Sequence, residues 1–524
     1  MKKQILGSLA FCILSFSLFS QLKQGILAIG GSANEDGYSI VQSVDRGYAM
    51  AGYTRTFGAG LWDLYVVKWD SAGNLKWSTA VGGANNDRAY SIVNSSDSGF
   101  AAVGSTMSFG AGVEDVYVVK LDKSGNVKWT KTIGGTNTDV GYSIIQTTDG
   151  GYAIAGSTFS FAGGYADVYV MKLDAVGNLK WTRTIGSTGN DNGYSIIQTT
   201  SRDFIIAGST DSYGAGNRDM YVVKLDSVGN LKWTKTIGGI GDDGAASIIQ
   251  TADGRYVATG NTNSFGAGKQ DVYVVKLDSS GNLKWTKTIG GAADEAASTI
   301  VQTNNGGLVI TGATTSFGAG TDDAYLVKLD STGTLKWTST VGGPNSEEGN
   351  SLVHTSDGGY AVGGTTSSVS VGGDDFLFAK FDSLGNTCIP GSSGGTVSSG
   401  GTVSSGGITG NGGLTGSGGV TGTGGTATNY CSIITAIDNI KFKTEINVYP
   451  NPSNAVFVFS LSNTFENGTL EIYNVEGEKV FSKYSIISSP LSIDLSPQPD
   501  GIYFYRVLSE SGDMIGKGKV VIQK

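Results

Sequence analysis

Histidine is all but missing from this chain: His354 is the only one in 524 residues. A Ser-His-Asp triad, a His-rich zinc site and a zinc-hydrolase helix are therefore excluded or close to it. Cysteine is scarce too, with three residues, one of which, Cys12, lies in the N-terminal apolar stretch. Charged residues make up 15%, the formal net charge is -9 and the pI is near 4.8. The basic face that nucleic-acid binders carry is thus lacking, and nucleic acid is not an expected partner. Beyond the N-terminal stretch no run is long and apolar enough for a transmembrane helix. Nor does any long segment show the 3.6-residue apolar period of an amphipathic helix.

What the chain has in abundance is glycine, 82 residues, together with 23 tyrosines and many Val, Thr and Ser. That mixture favours strands and turns, so the fold class is read as all-β. The length calls for two or three units. Met1-Lys2-Lys3, the apolar stretch from Ile5 to Phe19, and Ser20 before Gln21 form the pattern of a signal peptide over 1–20.

An internal repeat fills most of the remainder. Gly73, Gly125, Gly177, Gly229, Gly281, Gly333 and Gly385 recur every 52 residues, and Trp77, Trp129, Trp181, Trp233, Trp285 and Trp337 follow the first six at a fixed offset. Each unit reads as four short strands joined by tight turns; in the third these are Tyr142 to Thr147, Tyr152 to Thr158, Asp167 to Asp174 and Leu179 to Ile185. The third strands are apolar on both faces and the second strands are built from small residues, a taper that suits wedge-shaped blades about an axis. A seven-bladed β-propeller of four-stranded blades over 22–386 is expected. The seventh unit lacks its fourth strand, and the period places Lys23 to Ile29 in that role, so the N-terminus is expected to close blade seven.

Candidate site residues must be weighed against the repeat. Glu35, Asp87, Asp139, Asp191, Asp243, Glu295 and Glu347 recur at the loop entering each first strand, each followed four residues later by Ser39, Ser91, Ser143, Ser195, Ser247, Thr299 or Ser351. Local hydrogen bonding of each carboxylate to that hydroxyl and the loop backbone is one reading. A ring near the channel mouth that holds a cationic ligand or calcium is the other, and it is the sole cofactor expectation. Asp70 and its equivalents before each turn, and Asp63 to Asp375 at each third strand, read as turn and strand-entry residues. Phe57, Phe109, Phe161, Tyr213, Phe265 and Phe317 read as packing residues before sugar platforms. His354 occupies a position held by Asn94, Gln146 or Gln198 elsewhere and reads as structural. No catalytic residue stands out from the repeat.

From Gly391 to Thr426 nearly every residue is Gly, Ser, Thr or Val, and the segment 387–436 is expected to form a flexible linker. Cys388 and Cys431 bracket it and are candidates for a disulfide in an oxidising exterior. Over 445–524 the runs Val448-Tyr449-Pro450-Asn451-Pro452-Ser453, Leu470-Glu471-Ile472-Tyr473-Asn474-Val475-Glu476-Gly477, Ile493-Asp494-Leu495-Ser496, Gly501-Ile502-Tyr503-Phe504-Tyr505 and Lys519-Val520-Val521-Ile522 alternate strand and turn chemistry, and a small C-terminal β-sandwich is expected.

These C-terminal runs resemble the type A sorting domain of the type IX secretion system of Bacteroidetes. The resemblance implies export through the type IX secretion machinery, removal of the domain, and release or attachment to surface lipopolysaccharide. The Leu-Asp-x-x-Gly-Asn-Leu-Lys-Trp turns resemble those of quinoprotein-like propellers, yet the vicinal cysteines of quinoprotein dehydrogenases are lacking. The expected function is a secreted or cell-surface noncatalytic binding scaffold for a glycan or protein ligand. The alternative is a carbohydrate-active enzyme, glycoside hydrolase-like, or its accessory carbohydrate-binding module.

Overall fold

A computed structural model of the chain describes residues 25–370, 372–387, short strands between 396 and 432, and 446–461, 468–474, 478–486, 490–508 and 514–524. The expected leader over 1–20 and Cys388 lie outside the described residues. The chain divides into two compact units, Met1–Ile433 and Ile434–Lys524.

In the first unit each repeat folds as one antiparallel sheet. Blade two is representative: Asp87–Asn94, Phe100–Thr106, Asp115–Leu121 and Val127–Gly134 pair in chain order. The first strands of neighbouring blades lie against one another around a closed circle, Glu347–His354 of blade seven against Glu35–Gln42 of blade one. The fold is the seven-bladed, all-β propeller expected from the period. Blade seven takes its fourth strand from Gly25–Gly30, which pairs with Asp375–Phe381, Ile26 opposite Ala379 and Ile29 opposite Phe376.

The recurring residues have local physical causes. At the turn after the third strand, Asp122 Oδ1 accepts from the N–H groups of Ser124 and Asn126 at 2.8 and 3.0 Å, and Gly125 takes a φ of 84°. The tryptophan belongs to the seam between blades. Trp77 Nε1 donates to the Lys123 carbonyl of the next blade at 3.2 Å, and its ring covers Gly125 so closely that a Cβ there would come within 2.7 Å. Apolar cores also form between blades: Ala49, Leu64 and Val66 of blade one pack with Phe100, Tyr117 and Leu121 of blade two. The middle strands are covered on both faces; every residue of Asp115–Leu121 is buried.

A lysine is buried in each third strand. Lys120 Nζ meets Asp97 at 2.8 Å and the Leu121 carbonyl at 2.9 Å, a pairing that offsets the desolvation of the ammonium. Blade six has Asn305 in the acid's place, and Lys328 Nζ bonds Thr303 Oγ1 at 3.0 Å instead.

The Gly-rich segment differs from a free tether. Thr396–Ser398, Thr402–Ser404, Ile408–Gly410, Leu414–Gly416, Val420–Gly422 and Thr426–Ser432 are strands on the outer edges of six blades. Composition bears on side-chain burial, whereas edge pairing needs only free backbone N–H and C=O groups, which every outer strand offers.

The second unit holds two small sheets, as expected of a β-sandwich. Ile446–Tyr449, Val456–Leu461 and Leu491–Asp494 form one; Lys479–Ile486, Gly468–Tyr473, Gly501–Leu508 and Met514–Ile522 form the other. Phe457, Phe459, Ile472, Ile493, Tyr505 and Val520 meet in its core.

Candidate functional site

Every first strand is interrupted by a β-bulge. In blade two the register with the second strand slips between Ala89 and Ser91, and the other six blades slip at the equivalent place. Gly104 makes the bulge possible, because a Cβ there would fall 1.9 Å from the Arg88 carbonyl oxygen. A bulge takes one residue out of the ladder and re-aims its side chain. The seven residues so placed, on the strands nearest the axis, are Tyr38, Tyr90, Tyr142, Tyr194, Ala246, Ser298 and Asn350.

Here the repeat loses its symmetry. The four tyrosine rings touch from blade to blade, with centroids 5.4, 5.5 and 5.1 Å apart. Blades one to four thus build an aromatic arc, and blades five to seven carry small or amide side chains in its continuation. A cleft of about 380 Å³ opens where the arc ends. Gly244 and Ala246 form part of it, with Tyr194, Ser209 and Arg218 from blade four and Asp242, Asn261, Asn263 and Gln270 from blade five. Arg218 Nε donates to Asp211 at 3.0 Å, and that bond holds the guanidinium above its usual range. Gln270 Nε2 donates to Asn263 Oδ1 at 3.4 Å. One aromatic ring beside several amides, a carboxylate and a guanidinium can bind a ligand rich in hydroxyl or amide groups.

The other end of the arc is charged. Tyr38 stacks on Tyr53 at 5.5 Å, Tyr53 meets the edge of Trp62 at 4.7 Å, and the Arg88 guanidinium lies 5.5 Å from the Tyr53 ring. Beside them, burial pushes the Asp36 carboxyl up to about 6, and the Asp374, Glu348 and Glu35 carboxylates add to the rise against a lowering bond from Tyr53.

The recurrent carboxylates singled out from the sequence sit elsewhere. Glu35, Asp87, Asp139, Asp191, Asp243, Glu295 and Glu347 are at most 2% exposed, sealed at the seams between blades; among them only Asp243 reaches the cleft. Asp87 accepts from Gly83 N and Ser108 Oγ, both at 2.7 Å, and from Thr106 Oγ1. Glu347 accepts from Thr366 Oγ1 at 2.8 Å and Ser368 N at 2.9 Å. The hydroxyl four residues on is not their partner. Ser39 Oγ accepts from Ile92 N of the next blade at 3.2 Å, and Ser143 Oγ from Ile196 N at 3.3 Å, so these serines stitch blades together. Each carboxylate faces a third-strand Asp across a glycine: at Gly186 a Cβ would lie 2.0 Å from Asp167 and 2.6 Å from Asp191. Burial, then the Asp191 charge, pushes Asp167 up to about 6. Among the described residues no three His, Cys, Asp or Glu side chains gather as metal ligands do.

His354 lies at the far end of its strand from the cleft, its ring 5.7 Å from Tyr360. Burial and the nearby Lys328 and Lys380 charges keep it below its usual pKa. Cys431 has its backbone opposite Ile26, and its proposed partner Cys388 lies outside the described residues.

In the C-terminal unit the motif residues serve the fold. Asn451 joins its turn to the last strand through Nδ2 to the Lys519 carbonyl and Oδ1 from Val521 N, both at 2.9 Å. Tyr503 donates to the Pro499 carbonyl at 2.8 Å. Glu471 is buried between Lys479 and Arg506, each at 2.6 Å, with the Lys479 bond first in holding its carboxyl down to about 2.

The family described as the secretion system C-terminal sorting domain matches residues 447–523. A domain of unknown function described as a beta-propeller matches residues 251–283. The regulatory protein FlaEY of Caulobacter vibrioides is 25% identical over 224 residues, 36% of this chain and 23% of that protein. The chain therefore spans less than a quarter of that relative's length. Among solved structures, PorZ, a bacterial surface component of the type-IX secretion system of Porphyromonas gingivalis, aligns at 11% identity and a TM-score of 0.36 over 94% of this chain and 60% of its own. A protein of unknown function from Dyadobacter fermentans aligns at 10% and 0.37 over 68% and 99%. Likenesses this distant assign no activity. The sorting domain makes the chain cargo of the type IX secretion machinery, destined for the medium or the outer cell surface. Among the described residues no helix is long and apolar enough to cross a membrane.

Proposed function

We propose that the mature propeller is a noncatalytic binding module that takes a polyhydroxylated, sugar-like ligand at the end of its tyrosine arc. The observation that carries this reading is the break in the repeat at Ala246, which opens a cleft beside the Tyr194 ring and places Asn261, Asn263, Gln270, Asp242 and Arg218 around it. A repeat preserved for folding alone has no need of four tyrosines followed by three small or amide residues. The ring offers an apolar face to a pyranose, and the amides and charges pair with its hydroxyls.

A second reading, a carbohydrate-active enzyme, draws on Asp36. A carboxyl held near 6 by burial, with Asp374 and Glu348 beside it, has the character of a general acid. A glycan array run beside a hydrolysis screen on soluble polysaccharides separates the two. Binding that Tyr194→Ala abolishes, without release of reducing ends, supports the module. Turnover lost in Asp36→Asn supports the enzyme, and a wild-type protein that binds no glycan ends the sugar reading.

A further inference from the structure

The Gly-rich segment has a period of its own. Gly394-Gly395, Gly400-Gly401, Gly406-Gly407, Gly412-Gly413, Gly418-Gly419 and Gly424-Gly425 recur every six residues. The residues after each pair form a strand on the outer edge of one blade, and the order runs backwards around the ring. Thr396–Ser398 pairs with Leu283–Gly290 of blade five, Thr402–Ser404 with Leu231–Gly238 of blade four, and Ile408–Gly410 with Leu179–Gly186 of blade three. Leu414–Gly416 pairs with Val127–Gly134 of blade two, Val420–Gly422 with Leu75–Gly82 of blade one, and Thr426–Ser432 with Gly25–Gly30 of blade seven.

The register is the same at every blade. Thr396, Thr402, Ile408, Leu414, Val420 and Thr426 stand opposite Gly290, Gly238, Gly186, Gly134, Gly82 and Gly30. Six residues reach about 20 Å when extended, the length of chain each hexad has for its strand and its step to the next blade. A sequence period and a blade period thus coincide, one hexad to a blade.

From this coincidence we infer that the outer blade edges form a strand-accepting surface whose occupant is the chain's own hexad segment, wound around the propeller as a belt. The belt covers edges that would otherwise template intermolecular pairing. Its last strand clamps Gly25–Gly30, so that the strand closing the ring is held between Asp375–Phe381 and Thr426–Ser432. The segment belongs to the propeller and remains with it when the sorting domain is removed beyond Ser432.

Hydrogen exchange on the full chain tests the assignment, with two deletions as phase controls. Slow exchange that recurs every six residues across 396–432 is expected. Deleting the hexad 418–423 keeps the phase and should leave the other hexads protected, whereas deleting only 423–425 removes the step to blade seven and should strip protection from Thr426–Ser432 and Gly25–Gly30. A segment that exchanges as fast as an unstructured peptide in the parent protein overturns the belt. So does a hexad deletion that loses as much protection as the three-residue one. Protection found only in a concentration-dependent dimer would assign the strands to a second copy and overturn the intramolecular belt.

Discussion

Replacing the side chains of the strand that closes blade seven should cost a large fraction of the propeller's stability. Leu27 and Ile29 are 2% and 1% exposed and pack with Ile40, Tyr48, Met50, Phe376 and Phe378 towards blade one. Ile26, on the other face of the strand, packs with Leu326, Leu377 and Phe381 towards blade six. Each truncation to alanine removes a buried aliphatic side chain and leaves a cavity, at about 2–5 kcal/mol per site. Leu27→Ala and Ile29→Ala share one cluster and will not add strictly, so about 4–8 kcal/mol is expected for the pair. That approaches the total stability of about 5–15 kcal/mol typical of a folded domain. Urea unfolding followed by tryptophan fluorescence, with gel filtration of the folded fraction, measures it. Val228→Ala, at a site 58% exposed, is the control and should move stability by less than about 0.5 kcal/mol. A double variant as stable as wild type would refute closure by the N-terminal strand.

Four further outcomes are expected. Asp167 is held near 6 in the fold against about 3.8 in the unfolded chain, so the native state keeps a proton that the unfolded state has released, and stability falls as pH rises from about 4 to 6; Asp167→Asn should therefore stabilise by about 2 kcal/mol at pH 7 and by little at pH 4, and an equal gain at both pH values contradicts this. Asp70 and Asp149, held down to about 2, work in the opposite sense and lose their contribution as pH falls below about 4, which puts the stability maximum between the two windows in a pH series of urea midpoints. Asn305→Asp should give Lys328 the acid partner present beneath the equivalent lysines, for a gain of about 1–3 kcal/mol; a lower melting temperature would count against it. Gly229→Ala, at φ 88° with the Trp181 ring 3.1 Å from the new Cβ, should lower stability by at least about 1 kcal/mol, and an unchanged midpoint argues against the Trp–Gly seam.

The architecture was legible because each blade solves the same packing problem, so turn Asp, positive-φ Gly and seam Trp recur at 52 residues. Other features were hidden by two assumptions. Recurrent residues drew attention to Glu35, Asp87 and their equivalents, yet recurrence marks what every blade needs, and the structure buries them at the seams. The proposed site lies where recurrence stops, at Ala246 after four tyrosines, a departure from the repeat that the sequence itself carries. Composition alone makes the Gly-rich segment look like a tether, because edge pairing is made by backbone and leaves little trace in residue type; its hexad period is the trace it does leave.

An exported propeller whose C-terminal unit is an address, not part of the working protein, should lose that unit on its way out of the cell. Intact mass of the protein recovered from the medium and cell surface of a host with a working type IX system tests this directly. The predicted product begins near Gln21 and ends between residues 433 and 445, with the Gly-rich segment retained and the unit matched over 447–523 gone. A surface product that still carries Lys524 would contradict it.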